Sequence, residues 1–114
     1  PLKEKLLVEN INYPIEMLDY FIFDYGLNFC IDIGHLFLHN DDIAVIRKYS
    51  EKIKLVHLHD LNDTGADHNE LNDVERINAA LNILVEIQYN GFIVIELFDK
   101  DKFFKSLNFL AELI

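Results

Sequence analysis

The sequence predicts an α/β fold in which a parallel sheet is covered by helices. Two observations carry that expectation. Four short apolar runs with β-branched and aromatic content recur along the chain: "KLLVEN" (5–10), "FCIDI" (29–33), "IKLVHLH" (53–59) and "FIVIEL" (92–97). Each is followed by a polar loop and then a stretch with helical spacing, which is the crossover that parallel strands need.

Taken in order, the first run leads into Leu18, Phe21, Ile22 and Tyr25 at i, i+3, i+4, i+7, with Pro14 suited to a first helical turn and Gly26 to a stop. After the second run, a helix is expected from about Asp41 to Tyr49, begun by Asn40 or Asp41. The third run precedes the clearest helix, in which Val74, Ile77, Leu81 and Leu84 form one apolar stripe. Asn72 with Glu75 resembles a capping box, and Asn90-Gly91 is the expected close. The last helix carries Phe103, Leu107, Leu110 and Ile114 on one side. No Gly/Ser linker or low-complexity tract divides the 114 residues, so one domain, or part of one, is expected over 1–114.

Composition narrows the function. Half the residues are hydrophobic (51%), ample for a core and too apolar for disorder. Twenty acidic against ten basic residues give a formal charge of −10, which supplies no surface for neutralising phosphates and argues against a nucleic-acid partner. The single cysteine, Cys30, lies in an apolar run; it reads as a buried thiol in a reducing compartment. No apolar stretch approaches the roughly 20 residues of a membrane span, and no basic-then-apolar leader opens the chain, so a cytoplasmic location is expected. Pro1 in place of an initiator methionine fits an internal start, a processed end or a chosen boundary.

The informative strand positions are those that are not apolar: Glu9, Asp32, His57 with His59, and Glu96. Side chains alternate faces along a strand, so Leu7 and Glu9, Cys30 and Asp32, Leu55 with His57 and His59, and Val94 and Glu96 each share a side. One face of every strand is thus wholly apolar and suits a helix layer. The other carries ionisable groups near its carboxyl end, where α/β sheets build their sites. Any one such residue is more often structural than functional. Four in succession bring carboxylates together that would repel and take up protons, a penalty that a divalent cation removes. Three carboxylates and an imidazole suit Mn²⁺, Mg²⁺, Co²⁺ or Zn²⁺.

These residues carry a resemblance. "LLVEN", "CIDIGH", "VHLHD", the following "DH" and "IVIELF" resemble, in order and over nearly the whole chain, the last four strands of the xylose-isomerase-like barrels, which include sugar isomerases, epimerases and endonuclease-IV-type enzymes. The resemblance implies four parallel βα units equivalent to strands five to eight of a (β/α)8 TIM barrel. It implies one metal ion on Glu9, Asp32, a histidine of "HLH", and Glu96. Members of the family differ in which histidine of that pair they use, and both face the same way on the strand; His57 is taken as the ligand and His59 as turned to substrate or standing behind the metal. His35 in the Asp-x-x-His run is expected to contact substrate or a second metal, and His68 in "ADHNEL" to reach substrate from a loop. Asp60 suits either the orientation of an imidazole or the cap of a turn, and His39 reads as structural.

The implied reaction is isomerisation or epimerisation of a sugar, sugar phosphate or polyol-like molecule, with Glu9 and Glu96 moving a proton beside a carbonyl polarised by the metal. The alternative is an endonuclease-IV-like phosphodiesterase with further metals, for which His35, Asp67 and His68 are spare ligands. The acidity of the chain weighs against it, and so does "LNDVER" where relatives place a Gly-x-Gly turn. A third reading is a half barrel that binds metal and is inactive alone. A full barrel takes about 250 residues, so the chain is expected either to derive from a longer one or to be closed by a second copy in a homodimer.

Overall fold

The computed structural model describes residues 1–114. Four strands, β1 (Leu7–Glu9), β2 (Asn28–Asp32), β3 (Ile53–Leu58) and β4 (Phe92–Ile95), form one sheet in sequence order, and every neighbouring pair is parallel. Three α-helices accompany them: α1 (Ile33–Leu38), α2 (Val74–Glu86) and α3 (Lys100–Leu113). The α/β class and the parallel sheet are as the apolar runs predict, and the arrangement fits part of a barrel.

The core lies between the helices and one face of the sheet. Phe29, Ile31, Val56 and Leu58 from the strands are fully enclosed, packed with Ile33, Leu36, Ile46, Tyr49, Ile77 and Ala80. The opposite face has no such cover at its margins: Phe92 is 81% exposed, and Leu7 and Val94 are also open to solvent. The outer edges of β1 and β4 have no strand beside them. Lacking a neighbour beyond β4, α3 covers its side of the sheet incompletely. Leu107, Leu110 and Ile114 of its predicted stripe line, with Leu58, Leu81, Ile93 and Ile95, an open apolar cavity of about 310 Å³, and Ile114 stays exposed.

The connections differ from the predicted helices in instructive ways. The segment after β1 is a 3₁₀ turn (Ile15–Leu18) followed by a π-helical turn (Tyr20–Asp24), closed by Tyr25 N–H donating to the Tyr20 carbonyl at 2.8 Å. Of the predicted stripe only Leu18 and Ile22 are buried, whereas Phe21 and Tyr25 face solvent. Pro14 precedes the segment and Gly26, at φ +81°, ends it. The helix expected from Asp41 is a 3₁₀ segment over Ile43–Tyr49, capped by Asp42, whose side chain accepts from Ala44 N–H at 2.9 Å.

At α2 the predicted capping box gives way to Asp73, whose carboxylate accepts from Arg76 N–H at 3.0 Å. Asn72 instead donates to the carbonyls of Leu61 and Glu70. The helix ends at Glu86 with Ile87 as its cap, and Gln88, in the left-handed region, stands two residues before the Asn90-Gly91 pair expected to end it. Asp99 caps α3 through the amides of Asp101 and Lys102.

Candidate metal centre

The parallel register staggers the site residues. Glu9 ends β1 level with Cys30, Asp32 ends β2 level with His57, and Glu96 lies two residues past the level of Val94, just beyond β4. Despite those different heights, the side chains converge. Ligand atoms of Glu9, Asp32, His57 and Glu96 all lie within 4.8 Å of one another. His57 Nδ1 is central: 2.8 Å from Glu9 Oε1, 3.3 Å from Glu96 Oε2 and 4.0 Å from Asp32 Oδ2. Donor atoms on one cation, each roughly 2.1 Å from it, are at most about 4.2 Å apart, so the separations from His57 are those of a coordination shell and the widest need close by only a little.

Two buried oxygens make the same point independently. Asp32 Oδ2 and Glu96 Oε2 have no hydrogen-bond partner although both are shut off from solvent. A buried carboxylate oxygen without a donor is costly, and here both face the cluster. The electrostatics agree. Burial raises the pKa of Glu9, His57 counters it, and the Asp32 carboxylate pushes it further up. The Cys30 thiol, buried beside Glu9, Asp32 and Glu96, is driven up to about 12 and stays protonated. The donor set therefore fits a divalent cation, whose charge would relieve both burdens.

Asp32 divides its carboxylate between two tasks. Oδ1 accepts from His35 N–H at 2.9 Å, capping α1, while Oδ2 is left for the cluster. The sequence reading missed α1: the "IGHLFL" stretch is short and its cap is a residue that reads as the end of a strand. This helix places His35, which is 8% exposed, with Nδ1 3.2 Å from Asp32 Oδ2 and Nε2 3.5 Å from Asp67 Oδ2.

His59 is fully buried just past β3. Its Nδ1 accepts from the His68 amide at 3.0 Å, and its Nε2 stands 2.8 Å from Asp32 Oδ1, off the line of a hydrogen bond. Burial opposes a charge on the ring, but Asp32, with Glu96 and Asp67, outweighs it and raises the pKa, while the His68 amide occupies the lone pair that a second proton would take. On the other partner, burial pushes the Asp32 carboxyl up, and His59 and His35 more than offset it, so that Asp32 is held below the usual carboxylate range. His57, in contrast, is half-buried with its ring nitrogen inside the carboxylate cluster.

Gly34 explains how His59 fits. A Cβ at Gly34 would lie 2.1 Å from the imidazole, so only glycine lets α1 pass the ring. The glycine of "DIGH" was the available sign.

His68 rests on the rim. Its ring stacks on His59 with centroids 4.1 Å apart, lies 5.1 Å from the exposed Phe98, and has Nε2 3.6 Å from Asp67 Oδ2. His35, His59 and His68 form a second group of nearby ring nitrogens. Asp60 takes the capping role of its two expected ones: its buried carboxylate accepts from the amides of Leu61, Asn72 and Asp73 and pairs with Arg76. It thereby closes the neck of the 61–73 loop that carries Asp67 and His68, and the Asp60–Asn69 bridge tightens that closure. His39 binds the Ile11 carbonyl at 2.8 Å, away from the cluster. Asn10, passed over in the sequence, is the buried residue that ties β1 to β2 beyond the ladder, through two hydrogen bonds to the Asp32 backbone.

No helix is long and apolar enough to cross a membrane. Searches of curated proteins and of solved structures gave no match. A family model described as Xylose isomerase-like TIM barrel matches residues 5–113, nearly the whole chain and every residue of the cluster. With that span and four consecutive parallel strands, the chain belongs to the xylose isomerase-like TIM barrel family.

Proposed function

We propose that the chain carries the metal centre of a divalent-cation-dependent isomerase or epimerase acting on a small sugar, sugar phosphate or polyol-like molecule. The observation that supports it most is the meeting of Glu9, Asp32, His57 and Glu96 around two unpartnered buried carboxylate oxygens. Mn²⁺, Mg²⁺, Co²⁺ or Zn²⁺ bound there would supply Lewis acidity toward a substrate carbonyl and the hydroxyl beside it.

The protein's own groups do the rest. Glu9, Asp32, His57 and Glu96 would hold the cation, and the buried His59 stands behind Asp32 with Nε2 2.8 Å from Oδ1. Glu9 ends one outer strand and Glu96 lies just past the other, and their carboxylates approach one another. With a carboxylate oxygen left free by the metal, Glu9 would take a proton from a carbon acidified by the polarised carbonyl, and Glu96 would return one on the other side or at the next carbon. His68, at the rim beside Phe98, and the more deeply set His35 behind it would supply hydrogen bonds to substrate hydroxyls.

The phosphodiesterase reading keeps one observation in its favour, the second group of His35, His59 and His68 with Asp67 between two of them. The net charge of −10 weighs against a polyanionic substrate. One experiment separates the readings. The Mn²⁺-loaded chain is incubated in D₂O with a panel of aldoses, ketoses and their phosphates, and in parallel with duplex DNA holding an abasic site. Metal-dependent deuterium at the carbon beside the carbonyl, absent in Glu9→Gln, is the expected result. Strand cleavage without exchange would replace it with the phosphodiesterase. Neither activity, with metal bound, would make the chain a metal-holding half that lacks the opposite wall of its barrel.

A further inference from the structure

We propose that Asn10 is a positioning residue for the metal centre, setting the height of Asp32 against Glu9; the inference rests on the metal reading above. The β1–β2 ladder ends at the pair Glu9↔Cys30, so regular sheet bonding does not reach Asp32. The Asn10 side chain continues it. Its Nδ2 donates to the Asp32 carbonyl at 2.9 Å, and its Oδ1 accepts from the Asp32 amide at 2.7 Å. A side-chain amide here does what a peptide of a longer β1 would do, and it does so next to one ligand and onto the backbone of another.

The backbone of Asn10 adds a third tie. Its carbonyl accepts from His35 Nδ1 at 2.8 Å, which requires the proton of that ring to sit on Nδ1, and the His35 amide in turn donates to Asp32 Oδ1 at 2.9 Å. Asn10, Asp32 and His35 thus form a closed circuit, and its effect is to leave Asp32 Oδ2, the oxygen without a donor, facing the cluster. The residue is 3% exposed, so bulk solvent has no access to take over these bonds. Its chemistry is narrowly specified. An ionised aspartate would set a second oxygen against the Asp32 carbonyl, leucine would leave an amide and a carbonyl unpaired, and glutamine is one methylene too long.

A purely structural asparagine would cost stability and leave ligand geometry alone. A positioning asparagine costs cation affinity and changes the coordination spectrum, since groups supporting metal ligands alter affinity by roughly 10- to 100-fold. The test is Co²⁺ titration followed by visible absorption on the native chain, Asn10→Ala, Asn10→Ser and, as a core control remote from the cluster, Ile77→Val. Asn10→Ser keeps a small polar group for the case in which alanine does not fold. Expected is a roughly 10- to 100-fold weaker Co²⁺ affinity with altered d–d bands in the Asn10 variants, against unchanged affinity and bands in Ile77→Val despite its lower melting temperature. Native-like bands and affinity within twofold in a folded Asn10 variant would overturn the role of Asn10 alone. Absence of Co²⁺ binding by the native chain would overturn the metal reading and this inference with it.

Discussion

Glu9→Gln combined with Glu96→Gln is expected to abolish the rise in melting temperature that Mn²⁺ or Zn²⁺ gives the native chain. A ligand that binds only the folded state at about 100 times its Kd stabilises by roughly 2.7 kcal/mol. For a chain of this size that corresponds to a rise of roughly 10 °C. The two substitutions keep shape and remove two of the three carboxylate charges in the cluster, leaving Asp32 and His57 as a two-ligand remnant. The metal-free double variant has a second signature. Glu9 has its pKa raised in the folded state, so folding takes up a proton there, and the metal-free native chain loses stability as pH rises from the ordinary glutamate range through the raised value. Glutamine removes that loss, and the metal-free variant should be at least as stable as the native chain above that window. Differential scanning fluorimetry with and without cation, across pH, checks both. A metal-induced rise that survives the double substitution would mean that the cation binds elsewhere.

Asp60→Ala is the substitution expected to cost most in stability, about 3 kcal/mol, since a fully buried carboxylate that serves several donors at once is removed and each donor left without a partner costs roughly 1 kcal/mol or more. Four partners lose their acceptor at once: Arg76 and the amides of Leu61, Asn72 and Asp73. Arg76 keeps only a long contact to Asp73, 3.8 Å, and its place over the Phe37 ring. Two of the lost bonds come from the segment leading into α2, so that helix and the 61–73 loop should loosen together. Urea denaturation reads the stability, and hydrogen exchange reads where it is lost. A variant within 1 kcal/mol of the native chain would show that the loop closes without Asp60.

The sequence disclosed the clustered carboxylates and imidazole more readily than the residues that support them, for a physical reason. Glu9, Asp32, His57 and Glu96 each break an otherwise apolar strand run, and alternation along a strand places them on one side without knowledge of the register. The supports carry no such contrast. Asn10 follows a strand end, where a polar residue is ordinary, and its importance comes from Asp32, 22 positions later. Gly34 matters only because His59 packs against it from another strand. Helix boundaries suffered from the same locality. The spacing after β1 satisfied a 3.6-residue period, yet with an open sheet edge beside it the segment buried only part of its stripe and settled into 3₁₀ and π turns. In the choice between His57 and His59, both lie on one face of the strand. Burial distinguishes them, since His59 is enclosed and spends Nδ1 on the His68 amide while His57 opens into the carboxylates.

The most direct test of the central claim is anomalous scattering from crystals of the chain soaked in Mn²⁺, collected above and below the metal edge. A strong peak enclosed by Glu9, Asp32, His57 and Glu96, within about 2.0–2.6 Å of an atom from each, is the predicted result. A peak placed away from these four residues, or the four side chains ordered around no peak at a saturating concentration, would contradict the account.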